Sequence, residues 1–254
     1  MTLFDLSGRV AVITGTSRGI GRELALGFAA AGATVVGCAR THEGAEATAA
    51  ELRGRGHDTL AVLADVATPE GADAVVTAAV RRYGRLDILV CNAGVNVKKA
   101  ALDFSPSDFD TVIGGNLRAY FLCAQAAARQ FIRQGGGGVI VMNSSNASVA
   151  AFEDLTPYCA AKGGIDMLVR GLAAEWGPHG IRVNAFNPGY TKHSMTDEGQ
   201  AYLDRAEREI AARTPLRRMA EMREMVGPAI FLASDAASFV TGTILLADGG
   251  WCAQ

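Results

Sequence analysis

Residues 9–14 read RVAVIT, a β-branched run of the kind that forms a buried strand, and Gly15-Thr16-Ser17-Arg18-Gly19-Ile20-Gly21 follows at once. Residues 22–31 then carry a helical pattern stopped by Gly32. Strand, glycine-rich turn and helix in immediate succession leave few architectures open. The glycines remove Cβ atoms where backbone must approach a ligand closely. The helix behind them offers free N–H groups and the positive end of its dipole. This is the local context in which a pyrophosphate is held. The glycine spacing is G-x-x-x-G-x-G rather than the commoner G-x-G-x-x-G.

The rest of the chain repeats the strand–helix alternation. Further strands are expected at 34–38, 59–63, 86–90, 139–142, 181–186 and 243–247. Helices are expected at 43–55, 70–83, 107–134, 158–177 and 224–232. Such alternation predicts an α/β fold with roughly seven parallel strands and helices on both faces, in one layered domain over 1–254. Residues 190–222 are charged and poor in β-branched residues, and Tyr202, Ala206 and Ile210 recur at helical spacing. A small helical lid is expected there, with a solvated surface helix as the plainer reading.

Composition narrows the function. Of 254 residues 49% are hydrophobic and 20% charged, with a formal net charge of −2 and no basic block that would suit nucleic acid. No leader and no membrane-spanning run is found, so a reduced cytoplasmic compartment is the expectation. The five cysteines, Cys38, Cys91, Cys123, Cys159 and Cys252, form no C-x-x-C, and His42, His57, His179 and His193 are scattered. No metal site is expected.

In an open α/β sheet, ligands sit beyond the carboxyl ends of the strands. Gly15, Ala39, Asp65 and Asn92 all fall at such ends, although Asp65 and Asn92 are equally ordinary turn residues. Asn116, inside the long helix expected at 107–134, either faces solvent or caps a bend at Gly114-Gly115.

Residues 143–162 read NSSNASVAAFEDLTPYCAAK and hold the chemistry. Tyr158 and Lys162 share one helix face, and Ser145 precedes Tyr158 by thirteen residues. A phenol, an ammonium and a hydroxyl together suit proton transfer at a carbonyl or alcohol oxygen. Free tyrosine has a pKa of about 10, and a neighbouring Lys⁺ lowers it. A surface Tyr/Lys pair has the same spacing; the glycine turn and the alternating strands favour the catalytic reading.

A cofactor preference is also written here. Sites for NAD place an acid about 20 residues after the glycine turn, to bond the ribose 2′-OH. Residues 37–42 read GCARTH: Ala39 stands in that place and Arg40 follows it. Arg40 and Arg18 could bracket a 2′-phosphate with charge-assisted hydrogen bonds, which favours NADP(H) with NAD(H) as the second option. The plainer reading is a pair of solvated arginines.

Taken together, Thr14-Gly15-x-x-x-Gly19-Ile20-Gly21, Asp65, Asn92-Ala93-Gly94, Asn116, Ser145, Tyr158-x-x-x-Lys162, Pro188-Gly189 and Asp248-Gly249 resemble the short-chain dehydrogenase/reductase family over essentially the whole length. The resemblance implies a Rossmann-type sheet, a nicotinamide cofactor, and hydride transfer between a secondary alcohol and a ketone. It implies Tyr158 as acid/base, Ser145 bonding the substrate oxygen, and Lys162 holding the ribose and lowering the tyrosine pKa. Asn116 would support a water-mediated proton relay. Cofactor contacts would come from Gly15, Ser17, Arg18, Gly19, Ile20 and Gly21, from Arg40, Asp65 and Val66, and from Asn92, Ala93 and Gly94. Tyr158, Lys162, Pro188, Gly189, Thr191 and His193 complete that set. Asn96, Ser145, Asn146, Phe152, Glu153, Asp154, Tyr158 and Tyr190 would line the substrate pocket. Their mixed polarity suits a sugar acid, a polyol or a small cyclic ketone. A homotetramer through the helices at 107–134 and 158–177 is implied as well. Two departures stand out: Cys91 replaces the first asparagine of N-N-A-G, and His193 replaces the threonine of P-G-x-x-x-T.

Two other functions share parts of this pattern. A nucleotide-sugar epimerase also uses Y-x-x-x-K, with a longer C-terminal region and another glycine spacing. A catalytically silent NADP-binding sensor or scaffold would usually lose the tyrosine or the lysine; both are present.

Overall fold

The computed structural model of the protein describes residues 3–192 and 200–253, and the side chains of all of these except 200–206. Seven strands form one parallel sheet: β1 (Val10–Thr14), β2 (Thr34–Ala39), β3 (Thr59–Leu63), β4 (Ile88–Cys91), β5 (Gly138–Asn143), β6 (Ile181–Pro188) and β7 (Ile244–Ala247). Their order is β3-β2-β1-β4-β5-β6-β7. The chain runs outward from β1 in one direction, then returns to β1's other side with β4. That reversal is the topological switch at which open sheets bind ligands.

The strands read as near-continuous apolar runs because both faces are covered. Period two sorts them. Val10, Val12, Leu89, Cys91, Ile140 and Met142 face one core; Ala11, Ile13, Ile88, Val90 and Val141 face the other. The first core is closed by α3 (Pro69–Tyr83), α5 (Ala119–Gln134) and α6 (Thr156–Trp176). The second is closed by α1 (Gly19–Ala30), Leu52 of α2 (His42–Gly54) and α8 (Val226–Ala233). Helix starts follow side-chain capping: the Thr41 and Thr68 hydroxyls accept from the N–H groups of Gly44 and Gly71, each at 3.1 Å.

The helix expected at 107–134 is present with helical backbone throughout, divided into α4 (Pro106–Ile113) and α5 by a π-helical turn at Gly114–Arg118. The cause is local. Gly114 and Gly115 add no side-chain packing across the turn, and the Asn116 amide takes the Val112 carbonyl at 2.7 Å, competing with the backbone donor for it. In the region expected as a lid, α7 spans Gln200–Arg213 and Ile210 is buried. The side chains of Tyr202 and Ala206 lie outside the described residues. A parallel bridge from Thr191 to Ala220 closes the region at its base. No helix among the described residues is long and apolar enough to cross a membrane.

Candidate active site

The site forms at the carboxyl ends of β1, β4, β5 and β6, where a chain of hydrogen bonds crosses the sheet. The Thr14 hydroxyl, at the end of β1, accepts from the backbone N–H groups of Asn92 and Ala93, each at 2.9 Å. Asn92 returns two bonds from its amide, to the carbonyls of Thr14 at 2.9 Å and Gly15 at 3.2 Å. Its Oδ1 accepts from the Asn143 amide at 2.8 Å. The Asn143 carbonyl then accepts from Lys162 Nζ at 2.8 Å and from the Tyr120 hydroxyl at 3.0 Å. Asn92 is therefore more than a turn former: it ties three strands together.

Ser145, Tyr158 and Lys162 come together as the spacing predicts. The Ser145 hydroxyl accepts from the Ala147 N–H at 3.1 Å and donates to Asn146 Oδ1 at 3.3 Å, and it stands near enough to the Tyr158 phenol to favour its phenolate. Lys162 is 4% exposed, and its ammonium lies 5.4 Å from the Tyr158 ring and 5.2 Å from the Tyr120 ring. Electrostatics differ from the expectation that the lysine lowers the phenol's pKa. Burial pushes Tyr158 up to about 12, with the nearby Ser145 hydroxyl pulling the other way. Burial also brings Lys162 down to about 7, with Asp166 opposing that fall. The lysine spends its short hydrogen bond on the Asn143 carbonyl rather than on the phenol.

Asn116 is fully buried in the π-helical turn, and its amide also donates to the Val95 carbonyl at 2.7 Å. Its Oδ1 has no partner among the described residues. Gly94 packs directly over that oxygen, 2.7 Å from where a Cβ would stand.

The glycine turn fits a pyrophosphate on its own geometry. A Cβ at Gly21 would strike the Gly15 carbonyl and the Asn92 amide, so only glycine lets β1, β4 and α1 meet there. Arg18, in extended backbone, opens α1 without any side-chain cap, which leaves the first-turn N–H groups to a ligand. Ser17 and Ile20 are half-buried in the same turn. Arg18 and Arg40 are both exposed, and neither forms an ion pair among the described residues. Asp65 caps the end of β3, its carboxylate accepting from the Ala67 N–H at 3.0 Å, with Val66 buried beside it.

The opposite wall is aromatic. Phe152 meets Tyr190 edge-on at 5.8 Å between centroids, and Trp251 lies 5.1 Å from Tyr190 and 6.2 Å from Phe152. Asn96 Oδ1 and Asn146 Nδ2 are buried without partners among the described residues, one an acceptor and the other a donor. Pro188 and Gly189 close β6 against β7, the Gly189 N–H donating to the Ala247 carbonyl at 3.1 Å. Thr191 pairs with Ala220. Glu153 and Asp154 sit on an exposed turn, Asp154 in left-handed backbone (φ 62°). His193 lies outside the described residues. Among the described residues no group of His, Cys, Asp and Glu could hold a metal.

Sequence reasoning named Thr14 only as part of the glycine motif and gave no role to Asn143, Asn187 or Trp251. The signal that singled out Asn92, a polar residue at the carboxyl end of a strand, also applies to Thr14, Asn143 and Asn187. Trp251 had no such signal, because nothing periodic surrounds it.

Comparison with known proteins agrees with this geometry. A family model described as enoyl-(acyl carrier protein) reductase matches residues 15–252. The chain is 38% identical over 254 residues to 2-dehydro-3-deoxy-D-gluconate 5-dehydrogenase of Escherichia coli (strain K12), covering 100% of this chain and 99% of that one. It is 37% identical over 248 residues to gluconate 5-dehydrogenase of Gluconobacter oxydans (strain 621H), covering 98% and 96%. The crystal structure of a gluconate 5-dehydrogenase from Burkholderia cenocepacia J2315, in complex with NADP and tartrate, superposes with a TM-score of 0.92 at 38% identity. That match covers 99% of this chain and 98% of the other.

Proposed function

The chain belongs to the short-chain dehydrogenase/reductase family, and from that premise we propose that it is an NADP(H)-linked oxidoreductase acting on a secondary alcohol or the matching ketone of a polyol or sugar acid. The observation that carries the reading is Lys162 Nζ 5.4 Å from the Tyr158 ring on one face of α6, with the Ser145 hydroxyl beside the phenol at the carboxyl end of the sheet. When bound, the nicotinamide donates or accepts the hydride. The chain's own residues handle the proton. Tyr158 gives it to, or takes it from, the reacting oxygen, and Ser145 bonds that same oxygen. Lys162 holds the ribose and places a cation beside the phenol. Asn116 keeps a bare acceptor at the start of the proton path.

A polyhydroxylated substrate is favoured by the bare amide atoms of Asn96 and Asn146, which would otherwise stay unpaired at a cost. Phe152, Tyr190 and Trp251 offer ring faces to its C–H groups. The named relatives act on substrates of this kind, and NADP sits in the Burkholderia structure. The proposal includes a single domain over 1–254 with a lid at 190–222, a cytoplasmic site of action, and His193 as a donor to the nicotinamide. It includes a homotetramer through the α4–α5 and α6 helices, on which Phe121, Ile132 and Met167 are exposed.

The test is turnover of NADP⁺ and NADPH with a panel of polyols, sugar acids and ketones, followed at the nicotinamide absorbance. Cofactor turnover supports the reading. Tight cofactor binding with no turnover across the panel would support a silent sensor. Inversion of a sugar carbon without net cofactor change would support an epimerase, which the dehydrogenase relatives already disfavour.

A further inference from the structure

Behind Ser145 lies a buried polar cluster that the proton chemistry does not use. Asp166 stands on α6 one turn beyond Lys162 and two beyond Tyr158, and Asn187 stands near the end of β6. Both are buried, at 7% and 0% exposure. The Asn187 amide donates to the Ser145 carbonyl at 3.0 Å, the Ser148 hydroxyl at 2.7 Å and Asp166 Oδ2 at 3.0 Å. An amide has two hydrogens, so these three bonds share them. Asp166 Oδ1 and Asn187 Oδ1 are buried without partners among the described residues. A carboxylate is costly to bury, and an apolar side chain would fill the same space at lower cost. The cluster therefore needs a reason beyond packing.

We propose that Asp166, acting through Asn187, is a positioning residue for Ser145. The Asp166 carboxylate fixes the Asn187 amide, and the amide fixes the Ser145 carbonyl and the Ser148 hydroxyl, at the two ends of the turn at 145–148. Anchor and acid/base then ride on one rigid helix, so the Ser145 hydroxyl keeps its distance to the Tyr158 phenol when the helix shifts. The inference rests on the oxidoreductase reading of the site.

The test is a double-mutant cycle of Asp166→Leu with Ser145→Ala, read by kcat, KM, cofactor Kd and the ¹³Cζ resonance of labelled Tyr158. That resonance is assigned by its loss in Tyr158→Phe. Alone, Asp166→Leu should lower kcat about tenfold or more, as loss of a bond to a charged group does, with cofactor Kd unchanged. In the Ser145→Ala background its effect should shrink to less than about twofold, because the residue it acts through is gone. Its Tyr158 resonance should move toward the position seen in Ser145→Ala. Additive losses in kcat, or a Tyr158 resonance that stays at the wild-type position, would overturn the assignment. Should the wild type turn over no substrate, the oxidoreductase reading fails while the resonance still decides the positioning role. Asn187→Ala breaks the same chain of bonds at its other link and reads both quantities if Asp166→Leu does not fold.

Discussion

Lys162 sets the pH dependence of this fold. Burial brings its folded pKa to about 7, whereas in the unfolded chain it titrates near 10.5. Between those values the unfolded chain holds a proton that the folded chain has released, so stability rises with pH across that window. Below about 7 both states are charged and the full burial cost is carried. Cys38 and Tyr158 act in the opposite sense. Their folded values are pushed up to about 12 from 9.0 and 10.0, so above about pH 9 the folded chain keeps protons that the unfolded chain loses. The urea midpoint of the cofactor-free protein should climb from pH 7 to about 9 and then fall, each pKa unit being worth about 1.36 kcal/mol. Lys162→Met should flatten the climb; an unchanged climb in that variant would show that another group drives it. The Ser145, Tyr158 and Lys162 triad was legible in the sequence because its chemistry is its spacing. The lysine's hydrogen-bond partner was not, since a backbone carbonyl at Asn143 is announced by no residue type.

At the scale of elements, the π-helical turn between α4 and α5 is the feature the sequence left open. An apolar run at helical spacing over 107–134 hides the break, because a π-helical turn adds one residue without disturbing the pattern on either side. The clue was the Gly114-Gly115-Asn116 triplet, where a bend capped by Asn116 was one of two readings, and the burial of Asn116 selects it. Asn116 holds both the Val95 and Val112 carbonyls. Asn116→Ala should leave a buried acceptor unpaired and cost about 1–3 kcal/mol, measured as a lower urea midpoint at unchanged m-value. A stability within error of wild type would mean that the turn is held by α4 and α5 alone. The strands, by contrast, were readable within a residue or two, since apolar runs bounded by glycine and polar turns leave little choice of period.

For the whole molecule, alternation of strands and helices predicted a parallel sheet, but the placing of β4 beside β1 is a matter of long-range packing. That placing opens the crevice in which Gly15 and Asn92 meet; Arg18 and Arg40 are exposed. Ala39→Asp with Arg40→Leu should reverse the preference for NADPH over NADH, read as the ratio of kcat/KM for the two cofactors. Loss of one charge-assisted hydrogen bond alone is worth about 10- to 150-fold. A wild type that prefers NADH would show that the missing acid does not decide the choice. The central claim, that this crevice carries hydride transfer with Tyr158 moving the proton, is tested most directly by one comparison. It is kcat with NADP⁺ and the best polyol or sugar acid for wild type and Tyr158→Phe, with cofactor Kd measured for both. The account predicts equal Kd and a kcat lowered about 10²- to 10⁴-fold in Tyr158→Phe. Ordinary kcat in a folded, cofactor-bound Tyr158→Phe protein would contradict it.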